Sequence, residues 1–198
     1  MGSKGGEMKK ILVILLLLIL LPIKLYAIEC KSSGHTIMNI YFSPYGGATD
    51  AIEAEINVAK KTIRVLGYSF TSPIIIAALI EAQERGVSVE VILDKTQKSS
   101  AAIADMAKRG VKVYIDSKHA IMHNKTMIFD DNIVQTGSFN YSVSAEIRNA
   151  ENILIVKKNR CLASVYFSNF LDHKKHSEQI LVGGMNGGVN ARIFKYKR

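Results

Sequence analysis

Two hydrophobic periods alternate along this chain. Thr36–Pro44 (TIMNIYFSP) reads as a strand, whereas ATDAIEAEINVAKKT, from Ala48, places its apolar residues at helical spacing. TIRVLGYSF, VSVEVILD and VKVYID are short runs rich in apolar and β-branched residues, suited to strands buried on both faces. Between them lie PIIIAALIEAQERG and KSSAAIADMAKRG, helical patterns that close on Gly86 and Gly110, each suited to a left-handed cap. Pro73 opens the first of these helices, where its missing N–H costs little. HNKTMIF, IVQTG and ENILIVKK extend the strand series, and LASVYFSNFL reads as a closing helix. The alternation predicts an α/β fold: one α-β-α sandwich around a single mixed, mostly parallel sheet.

The ends of the chain differ from this middle. MKKILVILLLLILLPIKLYA joins a Lys9-Lys10 pair to an apolar stretch from Ile11 to Ile23, with Ala27 as a small residue at a candidate cleavage point. About thirteen apolar residues suit a secretory leader better than a membrane-crossing helix. Residues 1–27 are therefore expected to be a signal peptide, with an uncleaved N-terminal membrane anchor as the alternative. Residues 1–7 read as an addition before a natural start at Met8. The domain is expected over 28–181, followed by a flexible basic tail over 182–198 that begins with VGGMNGG. The chain is then exported: periplasmic, anchored facing the periplasm, or secreted. In such a compartment Cys30 and Cys161 are a candidate disulfide, worth at most about 4–5 kcal/mol by loop entropy.

Charge narrows the partners. The whole chain carries +9, and the leader through Ala27 holds four Lys and one Glu, which leaves the rest near +6. Such an excess favours a polyanion and binding that weakens with salt. Basic residues gather at Lys108, Arg109, Lys112 and Lys118 and again at Lys157, Lys158 and Arg160. Phe139, Tyr141 and Tyr45 are candidates for stacking on bases. No metal-ligand spacing stands out among the cysteines and histidines, so neither metal nor cofactor is expected. His173-Lys174-Lys175 reads as a solvated basic helix end.

The candidate chemistry lies in H-x-K-x4-D, formed by His123, Lys125 and Asp130. On a strand, His123 and Lys125 share a face roughly 7 Å apart, a spacing that suits a nucleophile and a cationic clamp on one phosphate. Neutral imidazole can attack phosphorus, and imidazolium can protonate a leaving oxygen. The lysine offers charge-assisted hydrogen bonds worth about 1.5–3 kcal/mol each. Asp130 has the opposite parity and is expected to brace the site or the next turn. Ser138 and Asn140, after Gly137, can donate to phosphate oxygens, and Glu151 can accept the second ring N–H of His123.

The stretch HNKTMIFDDNIVQTGSFNYSVSAEIRNAEN resembles the HKD signature of the phospholipase D superfamily, most of all the single-motif bacterial endonucleases of the Nuc and NucT type. YSFTSP (Tyr68–Pro73) and RGVSVEVILD fit the same group, and the resemblance runs from about Thr36 to about His173. It implies a phospholipase D-like fold and metal-independent cleavage of nucleic-acid phosphodiesters through a covalent phosphohistidine. It assigns catalysis to His123, Lys125, Asp130 and Glu151, and phosphate contacts to Lys125, Ser138 and Asn140. One motif per chain leaves the leaving-group acid to a second copy, so a symmetric homodimer with the site at its two-fold is expected. The expected substrate is DNA, with a preference for single strands and RNA as further options. Two other functions compete: a phospholipase D acting on phospholipids, and a non-catalytic DNA-binding module.

Overall fold

The computed structural model describes residues 28–30, 34–181 and the backbone of 192–195. The expected leader, residues 1–27, lies outside the described residues, as does most of the expected tail. The strands are β1 (Ile37–Ser43), β2 (Thr62–Gly67), β3 (Ser88–Asp94), β4 (Lys112–Asp116), β5 (Lys125–Phe129), β6 (Ile133–Gly137), β7 (Glu151–Lys157), β8 (Glu178–Leu181) and β9 (Arg192–Lys195). The helices are α1 (Ala48–Val58), α2 (Pro73–Glu84), α3 (Ala101–Lys108), the short α4 (Val143–Ile147) and α5 (Arg160–His176).

The nine strands of the described residues form one sheet in the order β1-β7-β6-β5-β2-β3-β4-β8-β9. The sheet is mixed, as expected, but not mostly parallel: only β2/β3 and β3/β4 run parallel. Those two pairs are the ones joined by crossover helices, α2 and α3, which parallel strands require. The β5–β6 link is a tight turn closed by Asn132 N–H to the Phe129 carbonyl at 3.0 Å, with Asp130 and Asp131 at φ 50° and 54°. Two consecutive left-handed residues make a turn that matches strand twist, so this pair is antiparallel. Within the expected tail, Arg192–Lys195 forms strand β9, paired with β8.

Alternation along each strand fills two apolar layers. Val65, Val91, Val113 and Met127 pack with Ile52, Ile56, Leu79 and Ile103 of α1, α2 and α3. Leu66, Ile92, Ile128 and Val134 pack on the other face with Ala163 and Phe170 of α5. Each fully buried Val, Leu, Ile, Met or Phe side chain contributes about 1.5–3 kcal/mol. Gly86 and Gly110 cap α2 and α3 at φ 91° and 93°, as their positions predict. α5 packs over β2, β4, β5 and β6 and leaves edge strand β1 open. There Met38, Ile40 and Phe42 stand 64%, 60% and 67% exposed on one face. The carboxyl ends of β2, β3, β4 and β6 meet the amino ends of β5 and β7 at one edge, which carries the candidate chemistry.

Candidate active site

Lys125 opens β5 opposite Gly67, the last residue of β2. His123 lies just outside the strand on its extended lead-in and is exposed, whereas Lys125 is buried. The lysine curls back so that its Nζ donates to the His123 carbonyl at 2.7 Å. Tyr68, one residue past β2, packs on both, its ring centroid 4.6 Å from that of His123 and 5.1 Å from the Lys125 Nζ. The tyrosine thus braces the imidazole and offers its π face to the ammonium. Burial lowers the Lys125 pKa, and the negative charge of Glu151 partly restores it.

Neighbouring segments bring the other polar residues to this edge. Gly137 ends β6 so close to β7 that a Cβ on it would stand 2.1 Å from the Asn152 carbonyl oxygen. Only glycine fits that approach. The next residue, Ser138, is held by Asn152, whose backbone N–H and side-chain amide donate to its Oγ at 3.1 and 3.3 Å. Ser69 N–H donates to the Asn140 Oδ1 at 3.4 Å, which docks the loop after β6 against the residue beside Tyr68. Thr71 and Ser72 N–H groups bind the Tyr141 carbonyl at 2.8 and 2.9 Å and lock the two loops together.

Three expectations change. Among the described residues, no hydrogen bond joins Glu151 to His123. The Glu151 carboxylate instead accepts from Asn149 Nδ2 at 3.1 Å and acts on Lys125 through its field. Asp130, placed in the catalytic set by resemblance, sits at the far end of β5, where its carboxylate accepts from the N–H groups of Lys60, Lys61 and Thr62 at 2.8, 2.7 and 2.9 Å. Its geometry is that of a brace, in keeping with its strand parity. Phe139 and Tyr141 are fully buried and cannot stack on bases, whereas Tyr45 is 78% exposed.

Cys30 and Cys161 carry free thiols that lie side by side. Hydrogen bonding to Cys161, followed by burial, pushes the Cys30 thiol up.

Residues 52–173 match the family described as "Cardiolipin synthase, PLD-like domain". The chain belongs to the phospholipase D superfamily, in its single-motif Nuc-like branch, and is a phosphodiesterase of that class. It is 36% identical over 135 residues to a phospholipase D of Rickettsia bellii, covering 67% of each chain. It superposes on Nuc of Salmonella typhimurium, a phospholipase D family member, with a TM-score of 0.71 and 32% identity, covering 74% of this chain and 99% of that one. NucT of Helicobacter pylori shares the fold at a TM-score of 0.65 and 22% identity, over 72% of this chain and 98% of its own.

The sequence reading missed two features. The place of Tyr68 under the motif is set by strand pairing and has no local signature. The second is a cluster beside the motif. His173 is not solvated: its Nδ1 lies 2.8 Å from the Asp116 Oδ2, and Lys174 makes a bidentate pair with Glu90 at 2.8 and 2.9 Å. Only Lys175 keeps the expected exposure, at 74%. The signal that could have found this cluster is a pair of i, i+3 spacings, Asp116/His119 and His173/His176.

Proposed function

We propose that this phosphodiesterase is a nuclease that cleaves DNA by direct attack of His123 on phosphorus. One observation carries the reading: an exposed imidazole with no protein hydrogen bond among the described residues stands beside a buried ammonium, on a chain with net positive charge. The His123 lone pair forms the N–P bond as the P–O bond to the leaving sugar oxygen breaks. That oxygen takes a proton from a second imidazolium. Water deprotonated by the same second imidazole then attacks phosphorus, the N–P bond breaks, and His123 is regenerated. Lys125 stabilises the charge gathering on the phosphoryl oxygens, and Glu151 keeps that buried lysine charged. Asn140, whose amide nitrogen has no protein partner among the described residues, and Ser138 contact the phosphate. Neither chemical step is routed through a metal ion.

The second imidazole is His123 of another copy in a symmetric dimer. The open apolar face of β1, with Met38, Ile40 and Phe42, supports such an association, since an exposed patch of this kind favours being covered. The chain is exported through its leader, cleaved or kept as an anchor, and residues 28–181 act as the catalytic domain. The adjacent Cys30 and Cys161 thiols support oxidation to a disulfide after export. Non-reducing mass analysis of exported protein should find the two cysteines crosslinked, and free thiols throughout would remove this support.

The deciding assay incubates purified dimer with single-stranded and duplex DNA in EDTA, alongside His123→Ala. Cleavage by the parent protein alone is expected. Inactivity on DNA with turnover of phosphatidylcholine vesicles would move the substrate to lipids. Binding of DNA unchanged by His123→Ala, without cleavage, would make the chain a binding module.

A further inference from the structure

We infer that Asp116, His119, His173 and His176 form a zinc site that clamps the end of α5 to the loop leading into His123. Asp116 ends β4 and is fully buried. The backbone N–H groups of Lys118 and His119 donate to its Oδ1 at 3.0 and 3.4 Å. Its Oδ2 faces three imidazole nitrogens: His119 Nδ1 at 2.8 Å, His173 Nδ1 at 2.8 Å and His176 Nε2 at 3.1 Å. A carboxylate oxygen has two lone pairs, so three donors converging on one oxygen exceed what hydrogen bonding alone can satisfy.

A cation resolves that crowding. In a tetrahedral zinc site with bonds of about 2.0–2.1 Å, the ligand atoms stand roughly 3.4 Å apart. The oxygen-to-nitrogen separations are shorter than this by only a few tenths of an ångström, and one donor atom from each of the four residues lies within 4.8 Å of all the others. Three imidazoles and one carboxylate select zinc or a similar first-row ion over magnesium or calcium, which prefer oxygen ligands. The ligands come as two i, i+3 pairs, Asp116/His119 after β4 and His173/His176 in the last turn of α5. They therefore close on each other only when the domain folds.

The surroundings suit a bound ion. The backbone donors to Oδ1 fix the carboxylate so that Oδ2 points at the imidazoles, the arrangement that outer partners of metal ligands provide. Asn124 approaches His173 Nε2 at 3.2 Å through its amide group, which can turn to accept the proton that nitrogen carries when Nδ1 binds metal. A cavity of about 580 Å³, also lined by Lys118, Asn169, Asp172 and Lys175, gives an ion access to the ligands. Asn124 stands between His123 and Lys125, so the metal would hold the catalytic segment indirectly. The site is structural and separate from the phosphoryl-transfer step, and it departs from the expectation that the chain binds no metal.

The test is a metal titration of the full chain. Protein stripped with chelator and dialysed should take up one equivalent of cobalt(II), give the intense visible bands of tetrahedral coordination and release the cobalt to zinc. Thermal unfolding should move upward on adding one equivalent of zinc chloride. His119→Ala, at the most exposed of the ligands, should cut zinc retention after dialysis at least tenfold. The titration of the parent protein decides on its own if that variant fails to fold. Absence of both cobalt bands and a thermal shift in the parent overturns the site, as does equal zinc retention by a folded His119→Ala. His123→Ala should bind cobalt like the parent protein, which keeps this test apart from any assay of cleavage.

Discussion

Two polar clusters share one edge of the sheet, and the chain builds them in opposite ways. His123 and Lys125 are two residues apart, and their relation follows from the local entry into a single strand. Asp116, His119, His173 and His176 come from two segments more than fifty residues apart, and α5 must pack across the sheet before they meet. The local cluster presents an exposed imidazole without a protein hydrogen bond among the described residues; the assembled one engages every imidazole nitrogen that faces Asp116. Asn124 touches both. In the roles proposed above, one cluster reacts and the other holds, and the difference lies in which groups are left without partners.

The strongest way to sharpen this contrast is to remove His123. His123→Asn should lower turnover by about 10⁴-fold with the thermal midpoint unchanged; retention of even a tenth of the activity would take the chemistry away from this residue. Asp116→Asn should do the reverse. It should cost about 3 kcal/mol of stability by denaturant unfolding, the scale for breaking a buried charged network, while folded protein keeps most of its turnover. Lys125→Met should lower turnover by about 10²–10³-fold yet raise the thermal midpoint. Burial lowers the folded-state pKa of this lysine below the unfolded one, so its charge destabilises the fold at neutral pH, and the penalty fades only as pH rises through the folded value. A fall in midpoint would contradict that sign.

Asp130→Asn should cost about 2–3 kcal/mol and leave turnover of the folded protein within a few-fold. Burial pushes the Asp130 carboxyl up, but N–H donors from Thr62, Lys60 and Lys61 outweigh it and hold the pKa below the ordinary value. Its stabilisation is full above about pH 4 and lost as pH falls through the lower folded value, so wild type and variant should converge in acid unfolding. The smallest effect belongs to Tyr68→Ala. Loss of its contacts with His123 and Lys125 should lower turnover by about 3–30-fold, in line with about 0.5–2 kcal/mol for a cation over a ring.

Legibility in the sequence followed the range of the interaction. The helices ending at Gly86 and Gly110 and the strands of the sheet announce themselves through periodicity and turn residues within a dozen positions. The balance of parallel and antiparallel pairs does not, because the return of β7 beside β1 and β6 is a long-range choice. β8 and β9 were missed because a four-residue pattern such as RIFK acquires its meaning only beside a partner. At the site, H-x-K was readable, whereas Tyr68, the engagement of Glu151 with Asn149 and the partners of His173 depend on packing. The two i, i+3 pairs were visible, but nothing local says that they face each other.

The position of Asp130 gives the motif a meaning beyond its letters. Lys125 and Asp130 bracket one strand: the lysine begins it at the working edge, and the aspartate pins the turn after it to the start of β2. The x4 spacer therefore works as a ruler. Adding or deleting one residue between them would leave every named group in the chain. It would also turn the lysine to the opposite face of the sheet, or pull the aspartate off its three amides, since side chains alternate along a strand. A spacer with no reactive group thus limits how the chain can change in length while keeping its chemistry.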